Sequence, residues 1–154
     1  MADHTARAHS TLSASSSHRW MACPGSIRMS AGLESRTNSF AAEGTAAHQL
    51  AETCLSPPGM NADDMIGRTI KVEGFEFEVD LEMVEAVDVY VAYVSDLRAK
   101  GYYVELEQRF DLSSLYPGMF GTADCVAYDE KTKHLVVADY KHGRGVAVEP
   151  QENS

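Results

Sequence analysis

From Asp80 to about Lys100 the apolar residues Leu81, Val84, Val87, Val91 and Val94 recur at intervals of three and four. That period places them on one face of an amphipathic helix. Gly101 supplies its C-terminal stop. An Ala-rich stretch, about Ser39 to Leu55, predicts another helix, and Ser56-Pro57-Pro58-Gly59 ends it. Gly44 inside it lowers propensity and implies either a close backbone approach or a helix start near Glu43. A third, short helix is expected in TLSASSSHRWMACPGS. Ser13 or Ser15 would cap it, Trp20 and Met21 would pack, and Pro24-Gly25 would stop it.

Elsewhere the period is two. IKVEGFEFEV alternates on both sides of Glu73-Gly74 and predicts a small hairpin, after a loop over 59–68. Three further strand candidates are YYVELEQRF, TADCVAYD and HLVVADYK. Tyr116-Pro117-Gly118 makes the first connection a loop. The polar run 129–133 makes the second and third strands a hairpin. Helices followed by an antiparallel strand run read as α+β. A flexible tail over 1–11 and one domain over 12–154 are expected.

Composition narrows the class. Of 154 residues, 44% are apolar and 23% charged, ordinary proportions for a globular chain. No apolar run approaches the roughly 18 residues of a membrane span, so no membrane partner is expected. MADHTARAHS lacks an apolar signal core. Cys23, Cys54 and Cys125 are too few and too scattered for a disulfide framework. They read as small buried hydrophobes in a reducing cytoplasm.

The net charge of -10 argues against a broad basic face for nucleic acid. Its distribution weakens that objection. Residues 1–42 carry +2, residues 43–96 carry -10 and residues 97–154 carry -2. The acidity belongs to the middle third, while the outer thirds hold most of the candidate chemistry.

That chemistry centres on Gly121-Thr122-Ala123-Asp124 and, fifteen residues after Asp124, Asp139-Tyr140-Lys141. Alternation points Asp139 and Lys141 to one strand face and Tyr140 to the other. Across the predicted hairpin Asp124 would face Asp139. Opposed carboxylates destabilise a hairpin unless a cation lies between them. Hard oxygen ligands with open water positions suit Mg²⁺ or Mn²⁺. A lysine two residues on can orient or deprotonate a metal-bound water, or stabilise phosphate charge. The plainer alternative is a surface Asp139–Lys141 ion pair with Asp124 capping a turn.

The order Asp, hairpin-length gap, Asp-x-Lys resembles the PD-(D/E)XK nuclease superfamily. GTAD followed by VADYKHG looks like its RecB-type branch. Gly44-Thr45-Ala46-Ala47-His48 is similar to that branch's G-x-x-x-H helix. Ser15 through Cys23-Pro24 resembles its N-terminal helix ending in Cys-Pro. The whole, about residues 10–154, resembles phage-encoded proteins with a RecB-like nuclease domain.

The resemblance implies a nuclease core sheet and a metal-dependent deoxyribonuclease acting in phage DNA processing or recombination, in the host cytoplasm. Asp124 and Asp139 would be metal ligands, with the Tyr140 carbonyl and His48 as further donors. Lys141 would be the catalytic lysine. Glu107 would be the upstream acid, and Glu105 on the same strand face could replace it in that role. Arg144 and His142 would contact phosphate. DNA and a phage recombination or replication protein are the implied partners. The alternative is a nuclease-fold binding module without catalysis.

The branch continues past its lysine with a Gln-x-x-x-Tyr helix and another strand. Gln151 has no tyrosine four residues on, so a fragment of a longer domain is expected. Relatives that hold an iron–sulfur cluster place three cysteines after the nuclease motifs. None follows Cys125 here, so no cluster is expected.

Overall fold

The computed structural model describes residues 10, 12–13, 16–31 and 38–143. They are α+β, with helices first and antiparallel strands after. The chain divides into two compact units. One comprises Met1–Ser35, Glu107–Ala123 and Val146–Ser154, the other Arg36–Leu106 and Asp124–Gly145.

The first unit begins with α1 (Ser17–Ala22) and α2 (Gly25–Ser30). Pro24-Gly25 thus ends one helix and starts the next. Proline is tolerated at a helix start, where its missing N–H is needed by no carbonyl. The packing role expected of Met21 is not met, because its side chain is exposed. Trp20 is half-buried and its indole N–H donates to the Ser13 carbonyl. The Arg109 guanidinium lies 3.7 Å from the Phe120 ring centre, a cation–π contact.

The second unit holds α3 (Ser39–Leu55), β1 (Thr69–Val72), β2 (Phe75–Glu78) and α4 (Leu81–Ala99). A short 3₁₀ turn, Ala62–Met65, interrupts the expected loop. Helix α3 starts where the Asn38 side chain accepts from the Ala41 N–H, and α4 where Asp80 accepts from Met83. Each such cap stabilises its helix by about 1 kcal/mol.

The buried face of α3 is Ala42, Ala46, Ala47, Leu50, Ala51 and Leu55. Its small residues let neighbouring elements approach closely. That of α4 is Met83, Val84, Val87, Val94 and Leu97, with Val91 half-buried and Leu81 exposed. Leu50 and Val87 are fully buried, and each contributes roughly 1.5–3 kcal/mol of hydrophobic stabilisation. The β1–β2 turn holds Glu73 at φ 46° and Gly74 at φ 88°. Two left-handed residues make a turn whose twist matches the strands.

Strands β3 (Tyr103–Asp111), β4 (Phe120–Asp129) and β5 (His134–Ala138) form a sheet in that order. In the second unit Val104, Leu106, Cys125, Ala127, Val136 and Ala138 pack with Leu55, Val94 and Leu97. Strand β5 ends three residues earlier than its sequence predicts. Of the cysteines, only Cys125 is buried; Cys54 is half-buried and Cys23 exposed. Among the described residues no helix is long and apolar enough to cross a membrane.

Candidate functional site

The last rung of the β4–β5 ladder pairs Cys125 with Ala138. Asp124 and Asp139 would form the next rung, but the ladder stops. Instead the Tyr140 backbone N–H donates to Asp124 Oδ2 at 2.6 Å. A side-chain acceptor has replaced the strand acceptor, so the expected face-to-face carboxylate pair is not formed as a strand rung. The cause is the Tyr140 ring, which is 8% exposed and lies in the core. It stacks on Tyr90 of α4 with ring centres 5.0 Å apart. Its hydroxyl lies 3.3 Å from His142 Nδ1. Burial pushes the phenol up to about 12, so the hydroxyl keeps its proton at neutral pH.

With Tyr140 turned inward, Asp139 and Lys141 both face solvent. Lys141 Nζ lies 2.6 Å from Asp139 Oδ2, with the lysine side chain 75% exposed. Alternation about Tyr140 thus survives beyond the strand end. An exposed pair of this kind adds at most about 1 kcal/mol.

His48 comes from α3. Its Nδ1 is 3.9 Å from Asp124 Oδ1 and its ring meets the Tyr140 ring edge-on, centres 5.2 Å apart. Gly44 lies one turn earlier, and a Cβ there would lie 3.8 Å from the His142 carbonyl oxygen, an ordinary van der Waals contact, so this approach does not require a glycine. Asp124 is mostly covered, with 13% of its side chain exposed. Burial raises its carboxyl above the ordinary value. The Tyr140 N–H and then His48 oppose that rise, Asp139 adds to it, and Lys141 opposes it.

In the second unit, Glu105 accepts a hydrogen bond from the Tyr103 hydroxyl. Glu107 belongs to the first unit and has φ 50°, a left-handed conformation that side chains rarely adopt. The alternation that would place both acids on one face does not carry through such a residue. Arg144 lies outside the described residues. Tyr90 was the residue that sequence reasoning passed over. Its spacing of three from Val87 places it on the core side of α4, and no polar pattern marks it.

One family pattern spans residues 9–154, described as a protein of unknown function, DUF2800. The chain belongs to DUF2800. The matched span includes His48, Asp124, Tyr140 and Lys141, so the DUF2800 region contains the whole cluster. No solved structure matches the chain.

Asp124 makes this DUF2800 chain pH-sensitive in a defined direction. Its carboxyl sits above the ordinary value of 3.8 when folded, so the proton is held more tightly by the native state. The stability so gained is present below about pH 4 and lost as pH rises through the folded value. Asp124→Asn retains an acceptor for Tyr140 and removes the buried charge. Without metal, the variant should melt above wild type at pH 7. The difference should close as pH falls below 4, as followed by circular dichroism. A variant melting lower than wild type at pH 7 would show that Asp124 is stabilising when ionised.

Proposed function

We propose that this chain is a metal-dependent deoxyribonuclease with a two-carboxylate-plus-lysine site on a nuclease-type core sheet. The observation that carries the reading is the covered Asp124 carboxylate beside His48, next to the exposed Asp139 and Lys141. A carboxylate kept where its ionisation is unfavourable is characteristic of functional sites.

The donors fit a hard divalent ion. Ligand bonds of about 2.1 Å allow two donors on one ion to stand roughly 3–4 Å apart, and Asp124 and His48 are 3.9 Å apart. Asp124 and Asp139 would hold Mg²⁺ or Mn²⁺, with His48 and the Tyr140 carbonyl as further donors. Glu107 would be the upstream acid, as the resemblance implies. A bound ion supplies a water of lowered pKa and neutralises charge on a phosphate oxygen.

The chain's own groups do the rest. Lys141 extends into solvent on a flexible stem and can pass from Asp139 to a phosphate. There its ammonium would hold the charge that builds on phosphorus oxygens during attack. His142 and Arg144 would contact flanking phosphate. DNA is the substrate, and phage recombination or replication in the host cytoplasm is the proposed setting.

Melting with and without Mn²⁺, alongside cleavage of labelled DNA, tests this. Metal at one hundred times its Kd stabilises by about 3 kcal/mol, which corresponds to a rise of roughly 5–10 °C. Asp124→Ala should lose that rise and the cleavage. No shift together with no cleavage would favour the second reading, a nuclease-fold binding module without catalysis. The observation in its favour is that Lys141 and Asp139 already satisfy each other.

A further inference from the structure

Tyr140 sits two residues beyond the last rung of the β4–β5 ladder, so no strand partner fixes its backbone. Its N–H nevertheless meets Asp124 Oδ2 at 2.6 Å, and its ring meets His48 edge-on. One residue therefore orders both groups of the site, and it is ordered in turn through its ring.

Three described rings contact that ring, all in the second unit. His48 and His142 approach at 62° and 37°, with centres 5.2 Å and 6.3 Å away. Tyr90 lies nearest, 5.0 Å away and within 19° of parallel. Aromatic pairs at such separations attract and prefer a defined mutual tilt. The three neighbours are not equally fixed. His142 follows Tyr140 by two residues and moves with it. His48 is itself one of the groups to be ordered. Tyr90 stands near the middle of α4, between the fully buried Val87 and Val94, and packs against both core clusters of the unit. Close packing of this kind leaves a side chain little freedom. A flat, rigid ring offers Tyr140 one seat. A flexible apolar chain would fill the space and leave the tilt open.

We propose that Tyr90 is a positioning residue for the Asp124–His48 pair. Its ring fixes the plane of Tyr140, and that plane aims the Tyr140 N–H at Asp124 Oδ2 and sets the ring against His48. Asp124 Oδ1 is then left facing His48. The seat stands on the geometry, and its consequence for a metal rests on the nuclease reading: Tyr90, which donates no ligand in that reading, controls how tightly the ion is held.

Amide hydrogen exchange followed by NMR tests the seat without metal. In wild type the Tyr140 N–H should exchange slowly although it belongs to no strand. Exchange at the rate of an open loop would overturn the proposal, whether or not any variant folds. Tyr90→Met should speed Tyr140 exchange about ten- to a hundredfold relative to the Leu50 amide of α3 in the same protein, the factor for losing a hydrogen bond to a charged group. Tyr90→Phe should restore the protection. Val72→Ala, a buried truncation in β1, should lower the melting temperature without that change. Unchanged relative exchange in Tyr90→Met, or an equal change in Tyr90→Phe or Val72→Ala, would overturn the positioning role. Calorimetry then reads the metal: Mn²⁺ affinity should fall about tenfold in Tyr90→Met, the usual cost of losing a group behind a ligand, and recover in Tyr90→Phe. Lost protection with unchanged Mn²⁺ affinity would overturn the control over the ion. Lost protection in Tyr90→Met, where wild type binds no Mn²⁺, would support the seat and remove the metal reading.

Discussion

Lys141→Ala should lower Mn²⁺-dependent DNA cleavage by about 10²–10⁴-fold, the range for losing one charge-stabilising or proton-transferring group. The fold should be untouched. Lys141 is 75% exposed and its one described ion pair is with Asp139. Surface changes of this kind stay within about 0.5 kcal/mol. The Mn²⁺-induced rise in melting temperature should persist, since the lysine is no metal ligand. Loss of turnover with metal binding intact separates a role in the reaction from a role in holding the ion. Undiminished cleavage by purified Lys141→Ala protein would exclude the lysine from the reaction.

Tyr140→Ala should have the largest effect on stability. The ring is buried among Ala42, Ala46, Ala47, Val84 and Val87 in one core cluster and stacks on Tyr90. Truncating a buried aromatic costs about 3–5 kcal/mol, against a total stability of roughly 5–15 kcal/mol for a domain. A fall in melting temperature of roughly 10–15 °C follows from the usual size scaling. Tyr140→Phe keeps the stack and loses only the contact with His142, which is worth about 1 kcal/mol. Urea titration of both variants checks the ratio. A similar loss in both would place the energy in the hydroxyl instead of the ring.

The two predictions meet at one dipeptide. Tyr140 anchors the chain just past β5, and its N–H steadies the Asp124 carboxylate. Lys141 follows at once and lies in solvent, paired with Asp139. Tyr140→Ala should therefore also weaken Mn²⁺ binding in whatever fraction remains folded, although no side-chain atom of Tyr140 is proposed as a ligand.

Local sequence located α3 at Ser39–Leu55 through its alanines and the Ser56-Pro57-Pro58-Gly59 stop, α4 to within a residue through its apolar period, and the turn at Glu73-Gly74 through the alternation around it. These are decided by neighbours in the chain: apolar spacing, an N-cap and a left-handed glycine act within a few residues. The α1–α2 break at Pro24 was legible only in half, because a proline that stops one helix can equally start another. The end of β5 was not legible. HLVVADYK alternates without interruption, and nothing local tells whether Asp139 continues the ladder.

That question was settled by Tyr90 and the small residues of α3, which lie far from Tyr140 in sequence and make the space its ring fills. Burying that ring draws the chain off the β4 edge, and Asp124 then caps the freed N–H. The residue types of the proposed site, two carboxylates and a lysine in order, stand in the sequence itself. Their arrangement, with Asp124 covered beside His48 and Asp139 turned out to Lys141, does not. It depends on which aromatic side chain the core admits, and that is decided only when distant elements pack.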